Sequence, residues 1–182
     1  MELFSGLRTR IGNAILHNKI SRTRRKASYN NIEQVKNIGI VWDASSTEEF
    51  TYLSKFHQRM SENKAEVNIL GYFSGNSLPN QYTAIRYLSI IKKEELNFFY
   101  KPVSSEINTF INKSFDVLID LNFKKILPLK YISSLSNARL KVGLFESETG
   151  NATFDLMMDI KTPVNVEEYL KQVIHYLEMI KS

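Results

Sequence analysis

Two heptapeptides hold the carboxylates of this chain that most invite a chemical reading: FDVLIDL at residues 115–121 and FDLMMDI at 154–160. Each reads Phe-Asp, three apolar residues, Asp and one more apolar residue. Paired acids can share protons in general acid–base work or hold a divalent cation. The apolar residues between them also describe a strand buried on both faces. A further carboxylate, Asp43, closes the apolar run IGIVWD at 38–43. Ligands of an open parallel sheet bind beyond the carboxyl ends of its strands. Asp43, Ser45 and Asp120 are therefore the candidate residues of a crevice. The commoner use of a strand-end aspartate is to accept hydrogen bonds from loop amides or to cap the next helix.

Other chemistry finds less support. The turn Asp43-Ala-Ser-Ser-Thr could present amides to a phosphate, but Glu48 and Glu49 follow it and would repel an anion. No glycine-rich phosphate loop or dinucleotide fingerprint occurs. His17, His57 and His175 fall on three separate helical segments without ligand-like spacing, and the chain has no cysteine. No catalytic residue, metal or cofactor is assigned from these patterns.

The cations are unevenly placed. Of 24 Lys and Arg, seven lie in residues 1–30: Arg8, Arg10, Lys19, Arg22, Arg24, Arg25 and Lys26, against the single acid Glu2. The remaining residues hold 17 bases and 18 acids, so the net charge of +5 belongs to the head. Such a head attracts phosphates, and arginine suits bidentate phosphate contact. The expected partner is RNA or the ribosome. An anionic membrane surface would use the same charges together with Leu3, Phe4, Leu7 and Ile11.

The elements that must position these groups follow from periodicity. Apolar residues at Leu3, Phe4, Leu7, Ile11, Ile15 and Leu16 share one side of a head helix, which Gly6 and Gly12 weaken. Strands are expected at 38–43, 66–73, 95–100, 115–121, 140–145 and 154–160. Helices are expected after Ser46 (capped by a Ser46/Glu49 box), after Ser104 or Ser105, from Ile126 with Pro128 in its first turn, and after Asn165. Alternating strands and helices give a three-layer α/β sandwich with a mostly parallel, Rossmann-like sheet. Only eight residues, ESETGNAT, separate the last two strands, fewer than a crossover needs. The sixth strand is thus expected to be an antiparallel edge, with Asp159 at the rim opposite Asp120, and the repeat is a strand signature rather than a catalytic pair. Residues 1–30 read as a basic amphipathic head and 31–182 as a single α/β domain that folds without it.

At 43% hydrophobic and 24% charged, the 182 residues suit a globular chain with one sizeable core. No apolar run reaches the length of a membrane span and no signal-peptide pattern opens the chain, which makes the cytoplasm the expected compartment. The stretch FDVLIDLNFKKILPLKYISSLSNARLKVGLF resembles the acceptor-side domain of bacterial lipopolysaccharide heptosyltransferases at Ile119, Asp120, Leu121, Lys141, Val142 and Gly143. That resemblance implies the fold. It argues against transferase activity, because DASSTEE stands where those enzymes carry a glycine-rich loop and the nucleotide-sugar domain is missing. KKEELNFFYKP, FDVLIDL, LPLKYISSLSNARLKVG and FDLMMDI also resemble a small bacterial family of unknown function, which implies a stand-alone protein and brings no catalytic residues. Two functions remain open: a non-enzymatic binding protein docked by its head, or a small enzyme or nucleotide- or sugar-binding domain using the crevice near Asp43 and Asp120.

Overall fold

The computed structural model describes residues 4–21, 25–145, 153–161 and 163–181. Six strands, β1 (Asn37–Asp43), β2 (Glu66–Phe73), β3 (Leu88–Lys92), β4 (Val117–Leu121), β5 (Leu140–Leu144) and β6 (Leu156–Met158), form one sheet in the order β3-β2-β1-β4-β5-β6. Every pairing is parallel. Five helices accompany them: α1 (Ser5–Ile20), α2 (Glu49–Glu62), α3 (Ser105–Asn112), α4 (Leu127–Leu135) and α5 (Val166–Met179).

The central strands bury side chains on both faces, which is why they read as nearly continuous apolar runs. On one face Ile40, Trp42, Ile69 and Ile119 meet Leu53 and Phe56 of α2 and Tyr169 and Val173 of α5. On the other, Val41, Leu70 and Leu118 meet Ile107 and Phe110 of α3 and Leu129 and Ile132 of α4. The expected α/β sandwich with a Rossmann-like sheet is what forms. A further layer lies outside it: α1 rests on α4, burying Leu16 against Leu127 and Tyr131. A Cβ at Gly12 would stand 2.6 Å from the Phe99 carbonyl oxygen. That glycine lets α1 lie close, and its own carbonyl accepts the Tyr131 hydroxyl at 3.2 Å.

Three local expectations are corrected. β6 is parallel to β5, not antiparallel: it starts at Leu156 and is three residues long, so the connection spans residues 145–155, close to the dozen a crossover requires. Phe154, on the returning segment, lies flat on Gly143, where any side chain would block it. Residues 95–100 are not a strand. Asn97 Oδ1 accepts the amides of Phe99 and Lys101, each at 3.0 Å, and curls the segment into a turn, leaving β3 to Leu88–Lys92. Ser46 and Glu49 make no capping box; Glu49 instead accepts the Trp42 indole N–H at 3.0 Å. Ser104 and Asn165 do cap α3 and α5, accepting the amides of Ile107 and Glu168.

Candidate functional site

The strand order reverses direction between β1 and β4, which places Asp43 and Asp120 at the switch point, as their positions in the sequence suggest. Both are about 95% buried, and both use one oxygen in the same way. Asp43 Oδ1 accepts the Ser45 amide at 3.1 Å, and Asp120 Oδ1 accepts the Asn122 amide at 2.6 Å. These are the local turn bonds that short acidic side chains make after a strand. The second Asp43 oxygen accepts Lys124 Nζ at 2.7 Å. That hydrogen bond raises the Lys124 pKa. The lysine comes from the loop after β4, and its side chain is otherwise mostly exposed. Ser45 is exposed, with its hydroxyl 3.4 Å from that of Ser74.

The space at this end of the sheet lies one strand further over. A cavity of about 270 Å³ opens between the ends of β4, β5 and β6 and helix α4. Asp120 and Asp159, the second acid of each heptapeptide, both line it. Because β6 runs parallel, the two copies deliver equivalent aspartates to one rim, and Asp159 is not at the opposite edge as expected. Lys125, Lys130, Ser133 and Thr153 join them, over a wall of Phe154, Met157 and Met158. The hydroxyl of Ser133 is fully buried there and, among the described residues, has no hydrogen-bond partner. The Tyr169 hydroxyl is likewise buried and unpartnered; burial first, then the Asp120 charge, pushes its pKa well above the usual value. Sequence reasoning missed Ser133 and Thr153. The repeat was the signal that could have found this cavity, had its two strands been read as parallel.

The first acids of the heptapeptides work at the opposite edge. Asp116 Oδ2 accepts the amides of Lys36 and Asn37 at 2.9 and 3.0 Å, and its other oxygen pairs with Arg139. Asp155 Oδ2 accepts the Lys141 amide at 2.8 Å, and both its oxygens meet Arg25 Nη2 at 2.6 and 2.7 Å. Arg25 also donates to the carbonyls of Ala138 and Arg139. Arg25 is therefore a structural cation. Beneath it, Lys141 is 97% buried with Nζ on the Ser134 carbonyl at 2.8 Å, and burial together with Arg25 lowers its pKa to about 8.

A family of unknown function (DUF6913) matches residues 8–180. The chain belongs to that family. The matched span takes in most of α1 along with the whole sheet and α5. No curated protein matches the chain, and the resemblance to heptosyltransferases is not shown by the family match. No helix among the described residues is long and apolar enough to cross a membrane, and no group of three or more His, Asp or Glu among them could hold a metal ion.

In this member of the family the basic head is divided between structure and surface. Arg8 lies over the rings of Phe98 and Tyr100, at 4.5 and 4.4 Å, and donates to the Phe98 carbonyl at 2.7 Å. Arg10, Lys19 and Lys26 are exposed. Lys19 stands beside Lys101; burial, then that neighbour, lowers its pKa. Arg22 and Arg24 lie outside the described residues. Phe4, Leu7 and Ile11 point outward, so only part of the helix's apolar stripe faces the body. His57 stacks on Tyr87 at 3.6 Å between centroids, and burial lowers its pKa.

Proposed function

We propose that this protein is a non-enzymatic binding protein that docks onto a phosphate-bearing polyanion, RNA or the ribosome, through α1 and the turn at 97–101. The observation that carries the reading is Lys19 held beside Lys101. Two neighbouring cations attract an anion more strongly than either does alone. Arg10 and Lys26 extend the positive surface. Phe98, 64% exposed and stacked with Arg8, offers an aromatic face of the kind that unpaired bases stack on. Arg25, spent on Asp155, is not part of this surface.

Binding of the full chain to single-stranded RNA, titrated at several salt concentrations, tests the proposal. Each phosphate contact removed flattens the slope of log affinity against log salt by about 0.7. Changing Arg10, Lys19 and Lys101 together to Ala should therefore flatten it by about 2. An unchanged slope overturns the reading. The exposure of Phe4, Leu7 and Ile11 favours a second reading, an anionic membrane surface into which these residues insert. Leu7→Glu with Ile11→Glu separates the two, because it abolishes binding to phosphatidylserine vesicles while RNA binding weakens only through the added charge.

A further inference from the structure

We propose that the turn at 97–101 takes an unpaired base of a single-stranded nucleic acid, stacked on the ring of Phe98. This rests on the docking reading above and names the form of polyanion that the surface takes. Phe98 is 64% exposed and joins none of the hydrophobic clusters among the described residues. It contributes little to the core, yet its backbone is firmly held. Leu96 and Pro102 pair across the base of the turn. Within it the Asn97 amide donates to the Lys101 carbonyl at 2.9 Å and the Tyr100 amide to the Asn97 carbonyl at 3.0 Å. The Asn97 side chain accepts two further amides. Tyr100 sits at φ 60°, in the left-handed region that bulky residues rarely adopt. Backbone strain of this kind persists only where the surroundings hold it, and it collects at segments that contact ligands.

The neighbours of the ring narrow the ligand. Arg8 lies over Phe98 and Tyr100 and is fixed there by its bond to the Phe98 carbonyl. An aromatic ring beside a guanidinium is a platform on which bases stack, and it tolerates any base because every base has a π-face. In a duplex those faces are already stacked on one another, so the ring selects a base that is out of the helix. The ligand is also longer than a mononucleotide. Arg8 and Lys19 both border the turn and lie eleven residues apart on α1, a rise of about 16 Å. Cations spread over that length match a chain of phosphates, with Arg8 and Phe98 towards one end and Lys19 beside Lys101 towards the other. A bare polyphosphate would use the cations and leave the ring idle.

Binding of the full chain to oligouridylate, to the duplex of that strand with oligoadenylate, and to inorganic polyphosphate of matched charge tests this. The single strand should bind at least about tenfold more tightly than the duplex. Phe98→Ala should weaken single-strand binding by about five- to a hundredfold. Its salt slope and its binding of polyphosphate should not change, because no phosphate contact is lost. Phe98→Trp should keep the affinity, and its added indole emission should be quenched by the RNA and not by polyphosphate. Because Phe98 lies at the surface, both variants should keep the Tm of the wild type. Equal affinity for strand and duplex, an equal loss of polyphosphate binding in Phe98→Ala, or unquenched emission each overturns the proposal. So does an effect of Phe98→Ala on phosphatidylserine vesicles alone, which would make the ring a membrane contact. Steep salt dependence without preference for the single strand defeats this inference and leaves the docking reading standing, whereas no RNA binding at all defeats both.

Discussion

The two edges of the sheet use the same heptapeptide differently. At the amino-terminal edge, Asp116 accepts the amides of Lys36 and Asn37 at the start of β1, Asp155 accepts the Lys141 amide of β5, and each pairs with one arginine. These carboxylates are fully occupied and act as clips. At the carboxyl-terminal edge, Asp120 and Asp159 border open space, beside a serine with an unanswered hydroxyl. A strand end whose groups are all satisfied stabilises the fold and has nothing left for a ligand. A strand end with space and unmet hydrogen-bonding capacity can take one. Within one repeat, the first acid ties neighbouring strands together and the second borders the cavity.

The strongest way to break that contrast is to remove a clip. Asp155→Ala leaves Arg25 and the Lys141 amide without their acceptor in a mostly buried place. It should destabilise the protein by about 2–4 kcal/mol in urea unfolding. A loss of only a few tenths would mean that β6 docks without its clip and that Asp155 is not distinct from Asp159.

Lys141 sharpens the contrast through pH. Its folded pKa of about 8 lies below the ordinary 10.5, with burial as the largest cause. Below pH 8 both folded and unfolded chains hold the proton, and the full penalty of the buried charge is present. Between about 8 and 10.5 the unfolded chain keeps a proton that the folded chain has released, so stability rises with pH through that window. The rise attributable to this group is on the order of 3 kcal/mol. Lys141→Met should be more stable than wild type at pH 7, and that advantage should shrink as pH climbs to 10. Parallel melting curves of the two proteins check this; a constant difference would refute the assignment.

The smallest effect is expected at the carboxyl-terminal edge. Lys124 is 67% exposed in its side chain, so its pair with Asp43 is screened by water. Lys124→Ala should lower stability by less than about 1 kcal/mol. A larger loss in chemical denaturation would place Asp43 among the clips.

Much of the architecture was legible in the order of residues. β1, β2 and β4, the Ser104 and Asn165 caps, the proline at the start of α4 and the α5 stripe all follow from local pattern, because burial imposes a period and helix ends demand a partner. The strand expected at 95–100 failed because Leu, Phe and Tyr look strand-like wherever they occur, while the fate of this segment rests on one asparagine side chain curling over Phe99 and Lys101. The candidate site was half legible. Asp120 was named from its place at a strand end, but Ser133 lies on a helix and Thr153 in a loop, and neither carries a pattern of its own.

What the sequence determined by itself was the sheet's buried runs, the helices that flank it, and the concentration of positive charge in the first thirty residues. Tertiary structure decided the rest. Whether β6 runs up or down depends on Phe154 lying on Gly143 and on Asp155 reaching Lys141, contacts among residues no periodicity relates. What each cation meets is a tertiary matter: Arg25 finds a carboxylate more than a hundred residues away, whereas Lys19 stands beside Lys101. Local pattern records how much of a segment must be buried. It does not record which distant group will satisfy each charge, because that pairing is set only when the chain closes on itself.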